Sequence, residues 1–373
     1  MQSDPGLPGK QSRNQGLELL RMVSMVTIVL CHVLRIGGMI DAVADTRLPL
    51  LVYLFLRIFG ILTLNCFALT SGYVSLHIKT FRPSRPAAFW LSVIGWCAVG
   101  LALQVIVTRR APTTLEWLWL MPVTTREYWY VTDFFALTFF IPLLNAAIAR
   151  LPKRQFQWML LVMFLLFCCW SMIRAEVIEL GNGHSLWWLI VMYFAGAYLR
   201  LYGAPAWLKK HTLLVFWAAA AVNALAEYVA LYVLRLPIGW PGFNHPLHVL
   251  SALSLFLFFV RKETFRRRAV SRFACFFGPI SFGVYLVHMQ PFFQEHFLKD
   301  RFKDLFGLSW PLAGLAAVGL SVGIAVGSAL LEFGRVQLFR LLRLDRLPKK
   351  LDVLYDRCVG WIRQRTAAES PQA

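Results

Sequence analysis

The chain has 373 residues, of which 58% are hydrophobic and 15% are charged, with a net charge of +19 at pH 7. Soluble domains carry about 25% charged residues, so this composition excludes an ordinary soluble enzyme. Apolar runs of about 20 residues recur along the chain, as transmembrane helices require. They do not alternate apolar with polar residues, which argues against a transmembrane barrel.

The apolar runs predict an all-α integral membrane protein, a bundle of about ten transmembrane helices. The first 16 residues are polar, and no small-residue cleavage site follows the first apolar stretch. We therefore expect that stretch to stay as the first helix rather than to be removed as a signal peptide. The predicted spans are residues 18–38, 50–76, 87–107, 130–149, 156–173, 186–203, 211–234, 246–260, 273–293 and 310–333.

Basic residues are divided unequally between the two sets of connecting segments. With the N-terminus inside, the cytoplasmic segments hold 26 of the 38 Lys and Arg residues and the external loops hold 10. This asymmetry predicts a multi-pass protein of the cell membrane with both termini in the cytoplasm. It also accounts for the positive net charge, so we expect lipid and not nucleic acid as the partner of basic runs such as RKETFRRR (261–268).

Two regions follow from these patterns. Residues 1–334 form the predicted transmembrane domain. Residues 335–373 alternate apolar with basic residues and end in TAAESPQA, which predicts a cytoplasmic amphipathic helix and a disordered tail. The seven cysteines are an odd number and lack metal-ligand spacing with a histidine, so we expect no disulfide framework and no metal site.

The first span combines a cation with an imidazole, Arg21 and His32, in the stretch LELLRMVSMVTIVLCHVLRIG. Eleven helical residues turn through about 1100°, which is three turns plus about 20°, so both side chains lie on one face. The rise between them is about 16 Å, roughly half the hydrocarbon thickness. Ionisable groups inside a membrane indicate function, although a terminal Arg can snorkel and a lone His can bond a neighbouring helix.

The second span carries further polar or small residues. Arg57 lies near its outer end, Asn65 near its centre, and Ser71 and Gly72 near its inner end. Gly72 has a structural alternative, since glycine also permits close helix packing.

Further ionisable residues lie in or next to other predicted spans. Lys79, Arg82 and Arg85 follow the second span and are either topogenic charges or a phosphate site. His288 lies in the outer half of the ninth span, at a depth similar to that of His32. Glu227 and Glu332 are further membrane carboxylates, and Glu227 either acts in catalysis or pairs with a neighbour.

Five segments in chain order resemble those of membrane acyltransferase family 3. They are the R-x10-H pair of the first span, the F-x-x-SGY pattern in NCFALTSGYVSL, the aromatic and P-x-x-N segment of EYWYVTDFFALTFFIPLLN, the N-x-P of GFNHPLHVL, and the Y-L-x-H of ISFGVYLVH. The residues that carry the resemblance outside the first two segments are Trp129, Tyr130, Pro142, Asn145, Asn244, Pro246, Tyr285, Leu286 and His288.

The resemblance implies transfer of an acyl group, often acetyl, from acetyl-CoA as co-substrate to surface glycans or small molecules, with no bound cofactor. The long thioester of a cytoplasmic anionic donor would extend along the face that joins Arg21 to His32. The residues expected to bind acyl-CoA are Arg21, Lys79, Arg82, Arg85, Ser71 and Gly72.

The expected catalytic residues are His32, as general base, and His288. A histidine that carries the acyl group transiently is the alternative mechanism. Residues expected to contact the acceptor or to orient the catalytic groups are Arg57, Asn65, Trp129, Tyr130 and Tyr285. Trp129 and Tyr130 also fit the interfacial aromatic belt of membrane proteins.

Two other functions stay open at this stage. A transporter would use Arg21, His32 and Glu227 as a relay, but no internal repeat is visible in the sequence. A receptor-like protein would tolerate the loss of Arg21 and His32. The acyl chain, the acceptor hydroxyl and the oligomeric state are not specified by any spacing in the sequence.

Overall fold

A computed structural model describes residues 14–122, 125–126, 128–172, 180–235 and 242–369. Within these ranges the chain consists of helices, turns and loops and contains no strand, which confirms the all-α prediction. The α-helices are α1 Gln15–Arg35, α2 Met39–Ala42, α3 Leu48–Val74, α4 Ser84–Thr108, α5 Thr114–Trp117, α6 Trp129–Arg150, α7 Lys153–Phe164, α8 Leu186–Tyr202, α9 Ala206–Lys210, α10 Thr212–Tyr228, α11 Pro246–Val260, α12 Arg268–Phe277, α13 Ser281–His288, α14 Pro291–Phe293, α15 Trp310–Leu341 and α16 Leu347–Glu369.

Eight helical segments of the described chain are long and apolar enough to cross a membrane. They are α1, α3, α4, α6, α7 with the turns that continue it to Met172, α10 with the π-helical turn that continues it to Val233, α12 joined to α13, and α15. The protein is therefore a multi-pass membrane protein.

Two further apolar helices, α8 and α11, have 17 and 15 residues. At 1.5 Å per residue they are about 25 and 22 Å long, which is less than the hydrocarbon thickness of about 30 Å. Each of the ten predicted spans coincides with an apolar helix, but the count of ten membrane crossings stays a prediction.

The bundle has two ends, which we name by the direction of α1. The proximal end holds the beginning of α1 and the distal end holds its last residue. Helix α3 runs antiparallel to α1, because Thr27 bonds Thr63 (3.0 Å) and Gly60 lies against Cys31. The end of α3, the beginning of α4 and helix α16 all lie at the proximal end. Which side of the membrane this end faces stays a prediction.

Helices α1 and α3 form the centre of the bundle, and α7 lies outside. In the most apolar 18-residue stretch of α3, 67% of the residues are buried. The corresponding stretch of the segment that begins with α7 has only 11% buried residues. Small residues allow the central helices to approach closely. Gly72 of α3 lies against the backbone of Tyr193 in α8, and Gly196 of α8 lies against the backbone of Leu69.

The helix boundaries differ from the predicted ones at both ends of the chain. Helix α1 begins at Gln15, three residues before the predicted span, because the Asn14 side chain accepts a hydrogen bond from the Leu17 amide (3.0 Å). Helix α15 continues past the predicted domain boundary at 334 to Leu341. Residues 366–369, predicted to be disordered, continue α16, whereas 1–13 and 370–373 lie outside the described residues.

We expect Gly72→Ala to lower the free energy of unfolding by about 1–3 kcal/mol, because a methyl group at this position meets the Tyr193 backbone and overpacks the contact. The midpoint of thermal unfolding in detergent measures the change. Gly327→Ala in α15 is the matched control, since its added methyl meets no atom within 4 Å. It should keep or raise the midpoint by improving helix propensity. Equal midpoints for both variants would contradict the close α3–α8 packing.

Candidate functional site

Two histidines from opposite parts of the chain meet near the distal end of the bundle. His32 lies three residues before the end of α1, and His288 is the last residue of α13. The Nδ1 atom of His32 is 2.9 Å from the Nε2 atom of His288, and the ring centroids are 5.2 Å apart. The structure therefore joins the two predicted catalytic histidines in one pair.

The hydrogen bonds of this pair determine its tautomers. The Nδ1 atom of His288 is 2.6 Å from the carbonyl oxygen of Val284, and a carbonyl only accepts, so this Nδ1–H donates. In the neutral ring the Nε2 atom of His288 is then an acceptor, and the Nδ1–H of His32 donates to it. The Nε2 atom of His32 keeps its lone pair, which is what a general base requires.

Cys31 packs α1 against α3 at the level of His32, and a buried ion pair joins α3 to α10 there. Cys31, the residue before His32, lies against Gly60 and against the guanidinium of Arg57. Arg57 also forms an ion pair with Glu227 of α10, and both side chains are almost completely buried. Arg57 and Glu227 therefore link α3 to α10 instead of facing an open site. Of the two alternatives for Glu227, the structure shows pairing with a neighbour.

Aromatic rings surround the histidine pair. The ring of Tyr285 stands edge-on to His288 at 5.9 Å, and the ring of Tyr130 lies 6.4 Å from that of Tyr285. Tyr130 is only 5% exposed, so it belongs to the interior and not to a lipid-facing belt. Its hydroxyl is buried and has no hydrogen-bond partner among the described residues. It is therefore an available donor on a ring that neighbours Tyr285.

A pocket of about 360 Å³ opens at the distal end. The Arg126 guanidinium crosses it, 3.3 Å from the carboxylate of Asp133 and 3.3 Å from the carbonyl oxygen of His184. The ring of Trp129 lies 4.4 Å from the imidazole of His184. The residues that line this distal pocket are Arg126, Asp133, Gly181, His184, Ser185, Leu186 and Trp187.

The protonation of His184 in the distal pocket depends on its burial and on two nearby cations, Arg35 and Arg126. Burial lowers the pKa of the His184 imidazole, and its hydrogen bond to the Gly181 carbonyl acts in the opposite direction. The positive charges of Arg35 and Arg126 lower this pKa further. The imidazole of His184 is therefore neutral near pH 7, and Arg35 lies within electrostatic reach of both His184 and His32.

The pocket residues were not found from the sequence. Asp133 interrupts an apolar run and is only 8% exposed, which is the signal that could have indicated it. Arg126 and His184 lie in polar loops 58 residues apart, and only the folded chain brings them together.

Arg21 lies toward the proximal end of α1, on the same face as His32. Its guanidinium donates to the carboxylate of Glu18 at 3.0 Å, and its side chain is 29% exposed. The partner Glu18 was missed, although its spacing of three helical residues favours such a pair. The exposed part of Arg21 leaves donors available for a second anion.

The basic loop after α3 is partly occupied by α16. Arg82 donates to both carboxylate oxygens of Asp356 at 2.8 Å, and the Ser84 amide and hydroxyl donate to Asp352 at 2.9 and 2.7 Å. These hydrogen bonds raise the pKa of Arg82 and lower the pKa of Asp352. Lys79 and Arg85 are exposed. Binding of acyl-CoA by this loop stays a prediction.

The remaining predicted residues of α3 make contacts within the bundle. The Ser71 hydroxyl donates to the Phe67 carbonyl of its own helix (3.0 Å), and Gly72 packs on α8. The Asn65 amide donates to the Phe243 carbonyl (2.9 Å) and its oxygen accepts from the Trp188 indole (2.9 Å). Asn65 thus fixes the backbone of Phe243, whose ring contacts His184 in the distal pocket.

Other residues of the matched segments also tie helices together. The Asn145 amide donates to the carbonyls of Ser75 and Ile78 (2.8 and 2.9 Å), and the Asn244 amide donates to Phe167 (2.8 Å). Glu332 accepts from the Trp96 indole and from Arg335 (2.7 and 2.6 Å), so this carboxylate is paired too. These contacts satisfy polar groups within an apolar bundle.

The comparisons with known proteins identify the family of the chain. A family model described as an acyltransferase domain, that of the acyltransferase 3 family, matches residues 14–330. The matched range includes both histidines, Arg21 and the distal pocket. No curated protein and no solved structure was found to match the chain.

The attachment of α16 should depend on pH. Since the pKa of Asp352 is lowered in the folded state, its contribution is complete above the usual carboxyl pKa of about 4 and is lost as the pH falls through the lower, folded value. Spin labels on the exposed cysteines Cys275 and Cys358 report the position of α16 relative to α12. We expect one narrow distance distribution from pH 7 to about 4, and broadening below it.

The double variant Asp352→Asn/Asp356→Asn should broaden this distribution already at pH 7, because the acceptors of the Ser84 and Arg82 hydrogen bonds are both weakened. Asp345→Asn, which removes a carboxylate before α16, is the control and should leave the distribution narrow. An unchanged distribution in the double variant would contradict the attachment.

Proposed function

This chain belongs to the acyltransferase 3 family, and from that premise we propose that it is a membrane O-acyltransferase. It moves an acetyl group from cytoplasmic acetyl-CoA, a co-substrate rather than a bound cofactor, to a hydroxyl of an extracytoplasmic or lipid-linked glycan. The observation that carries the proposal is the His32–His288 hydrogen bond, which leaves a basic nitrogen on His32.

His32 acts as the general base of the transfer. Its Nε2 atom takes the proton of the acceptor hydroxyl as the oxygen attacks the thioester carbonyl. When the tetrahedral intermediate collapses, the carbon–sulfur bond breaks and the leaving thiolate of CoA takes the proton back from His32. His288 accepts from the Nδ1–H of His32 throughout, so Nε2 of His32 is unprotonated before the attack and the imidazole stays oriented while it carries the proton.

The alternative is a covalent step, in which Nε2 of His32 attacks the thioester and carries the acyl group before the acceptor arrives. The same tautomer supports both routes. Kinetics separate them, because only the covalent route releases a burst of CoA in the absence of acceptor.

Tyr130 is the best candidate for a hydrogen-bond donor to the oxyanion. Its hydroxyl is buried without a partner among the described residues, and its ring is joined to His288 through Tyr285. A donor placed in advance in a water-poor site stabilises the charge that develops on the carbonyl oxygen.

The donor approaches from the proximal end. The excess of basic residues supports a cytoplasmic position for this end, which is the side where acyl-CoA is found. Arg21 offers a planar set of donors to an anion at the entrance, because Glu18 occupies only part of its guanidinium. The thioester arm then has to cover the distance of about 16 Å along α1 between Arg21 and His32.

The acceptor approaches from the distal end. The distal pocket combines a carboxylate, a guanidinium and the half-exposed indole of Trp187, and its volume of about 360 Å³ lies within the usual range of about 300–1,000 Å³ for small-molecule sites. Polar planar groups beside an aromatic face suit the hydroxyl groups and the apolar face of a sugar ring.

We expect His32→Ala to bind acetyl-CoA with wild-type affinity and to transfer no acyl group. His288→Phe should lower kcat about 100-fold or more, because Nδ1 of His32 loses its acceptor and the imidazole is no longer oriented. His288→Gln should restore part of this loss, since its amide oxygen can accept the same hydrogen bond. Transfer to a glycan acceptor by purified protein measures all three variants. Wild-type turnover in His32→Ala would remove this residue from the mechanism.

We expect Arg21→Ala to weaken acetyl-CoA binding about tenfold, through the loss of a charge-assisted contact with phosphate. Arg35→Ala is the matched control, because it removes the same side chain from the opposite end of the same helix. Calorimetric titration of detergent-purified protein measures both affinities. If neither variant changes the affinity, the donor does not enter past Arg21. Movement of a solute across vesicles without acyl-CoA would favour the transporter instead.

A further inference from the structure

A second pocket, of about 470 Å³, opens at the proximal end between α9, the beginning of α10 and the end of α11. Four cationic side chains and one imidazole line it, together with Phe258 and the first turn of α10. We name it the basic pocket, and its polar members are Lys209, Lys210, His211, Thr212, Arg261 and Lys262.

We propose that the basic pocket is a binding site for phosphate groups, and that it holds the phosphates of the acyl-CoA nucleotide. The assignment to a nucleotide rests on the proposed function. The phosphate chemistry itself does not, because it follows from the charge and geometry of the pocket.

The positive charge of this pocket is not neutralised by the protein. Within the part of the chain that the structure describes, no carboxylate lies within 4.0 Å of the charged nitrogens of Lys209, Lys210, Arg261 or Lys262. The basic loop after α3 is different, because Asp356 binds Arg82 there. The pocket therefore keeps its charge available for an external anion.

The walls of the pocket are held in place. The Arg261 guanidinium donates to the Lys209 carbonyl at 2.7 Å and so connects the end of α11 to α9. The Lys262 ammonium lies 4.7 Å from the centre of the Phe258 ring, which restricts its position by a cation–π contact. A pocket whose cations are already positioned loses less entropy when it binds an anion.

Backbone amides add to the side-chain charges. Helix α10 has 17 residues and begins at Thr212, and its N-cap residue His211 provides no side-chain cap. The Val215 amide donates to the His211 carbonyl (2.9 Å), so the amides before it have no acceptor within the helix. Thr212, Leu213 and Leu214 line the pocket, and N-terminal helix amides beside cations are typical partners of phosphate.

The pocket is also connected to the helix that carries Arg21. The Lys262 carbonyl accepts a hydrogen bond from the Gly16 amide at 2.9 Å, at the beginning of α1. Arg21 is five residues further along, which is about 7.5 Å of helix. A ligand with a diphosphate and a ribose phosphate can thus have its nucleotide at the pocket and its thioester arm directed past Arg21 toward His32.

The shared chemistry is phosphate, and its two sources are a soluble nucleotide and an anionic lipid headgroup. The full-length protein is placed in nanodiscs of phosphatidylcholine alone, and adenosine 3′,5′-bisphosphate is the calorimetric probe. The test variant is Lys210→Gln/Lys262→Gln, and the control is Lys349→Gln/Lys350→Gln. The control removes the same charge from α16, outside the pocket. Thermal unfolding of each variant shows that it is folded.

We expect the test variant to raise the Kd of the bisphosphate at least about tenfold and the control less than about twofold. In a second arm, native mass spectrometry counts phosphatidylglycerol retained from mixed bilayers. Loss of retained lipid in the test variant, with unchanged bisphosphate affinity, would keep the phosphate site but assign it to a headgroup. No difference between test and control in either arm would overturn the site.

The proposed function and the phosphate site can be tested independently. His32→Ala should bind the bisphosphate with wild-type affinity, because His32 lies at the opposite end of the membrane. If wild-type protein transfers no acyl group but both arms detect the pocket, the phosphate site stands and the acyltransferase assignment does not.

Discussion

The hydrogen bond between His32 and His288 is the interaction on which the geometry of the candidate site depends. It joins residues 256 positions apart and leaves one basic nitrogen on His32. The bond forms only if α1 and α13 end at the same depth. The Pro291 that begins α14 keeps α13 short, and the Asn14 cap together with the backbone bonds to the end of α11 fixes where α1 starts.

The apolar surroundings explain why so many polar contacts accompany this bond. A charge within a membrane bundle is costly unless it is paired, and Arg57 with Glu227 and Arg335 with Glu332 meet that requirement. The Arg57 pair also lies against Cys31, so the ion pair that satisfies a buried charge also contacts the residue next to His32. Fold stability and site geometry therefore rely on the same contacts.

The two ends of the bundle differ in chemistry. The distal pocket contains an aromatic ring, a carboxylate and a guanidinium, which suits a hydroxyl-rich acceptor. The proximal end carries unpaired cations in the basic pocket and a partly exposed Arg21, which suits a phosphate-bearing donor. The proposed transfer requires this difference, because in that proposal the donor and the acceptor reach His32 from opposite ends of the bundle.

The sequence by itself determined the helical class, the apolar segments and the position of Arg21 and His32 on one face of α1. These features depend on local composition and on the periodicity of one helix. It also indicated the family, through motifs read in chain order. It did not reveal the partner of His32, the pairing of Glu227, the buried position of Tyr130, or the two pockets. Arg126 and His184, or Lys209 and Arg261, are distant in the chain and meet only when helices pack. Which polar groups face each other in a bundle depends on side-chain packing between helices, and only the tertiary structure decided it.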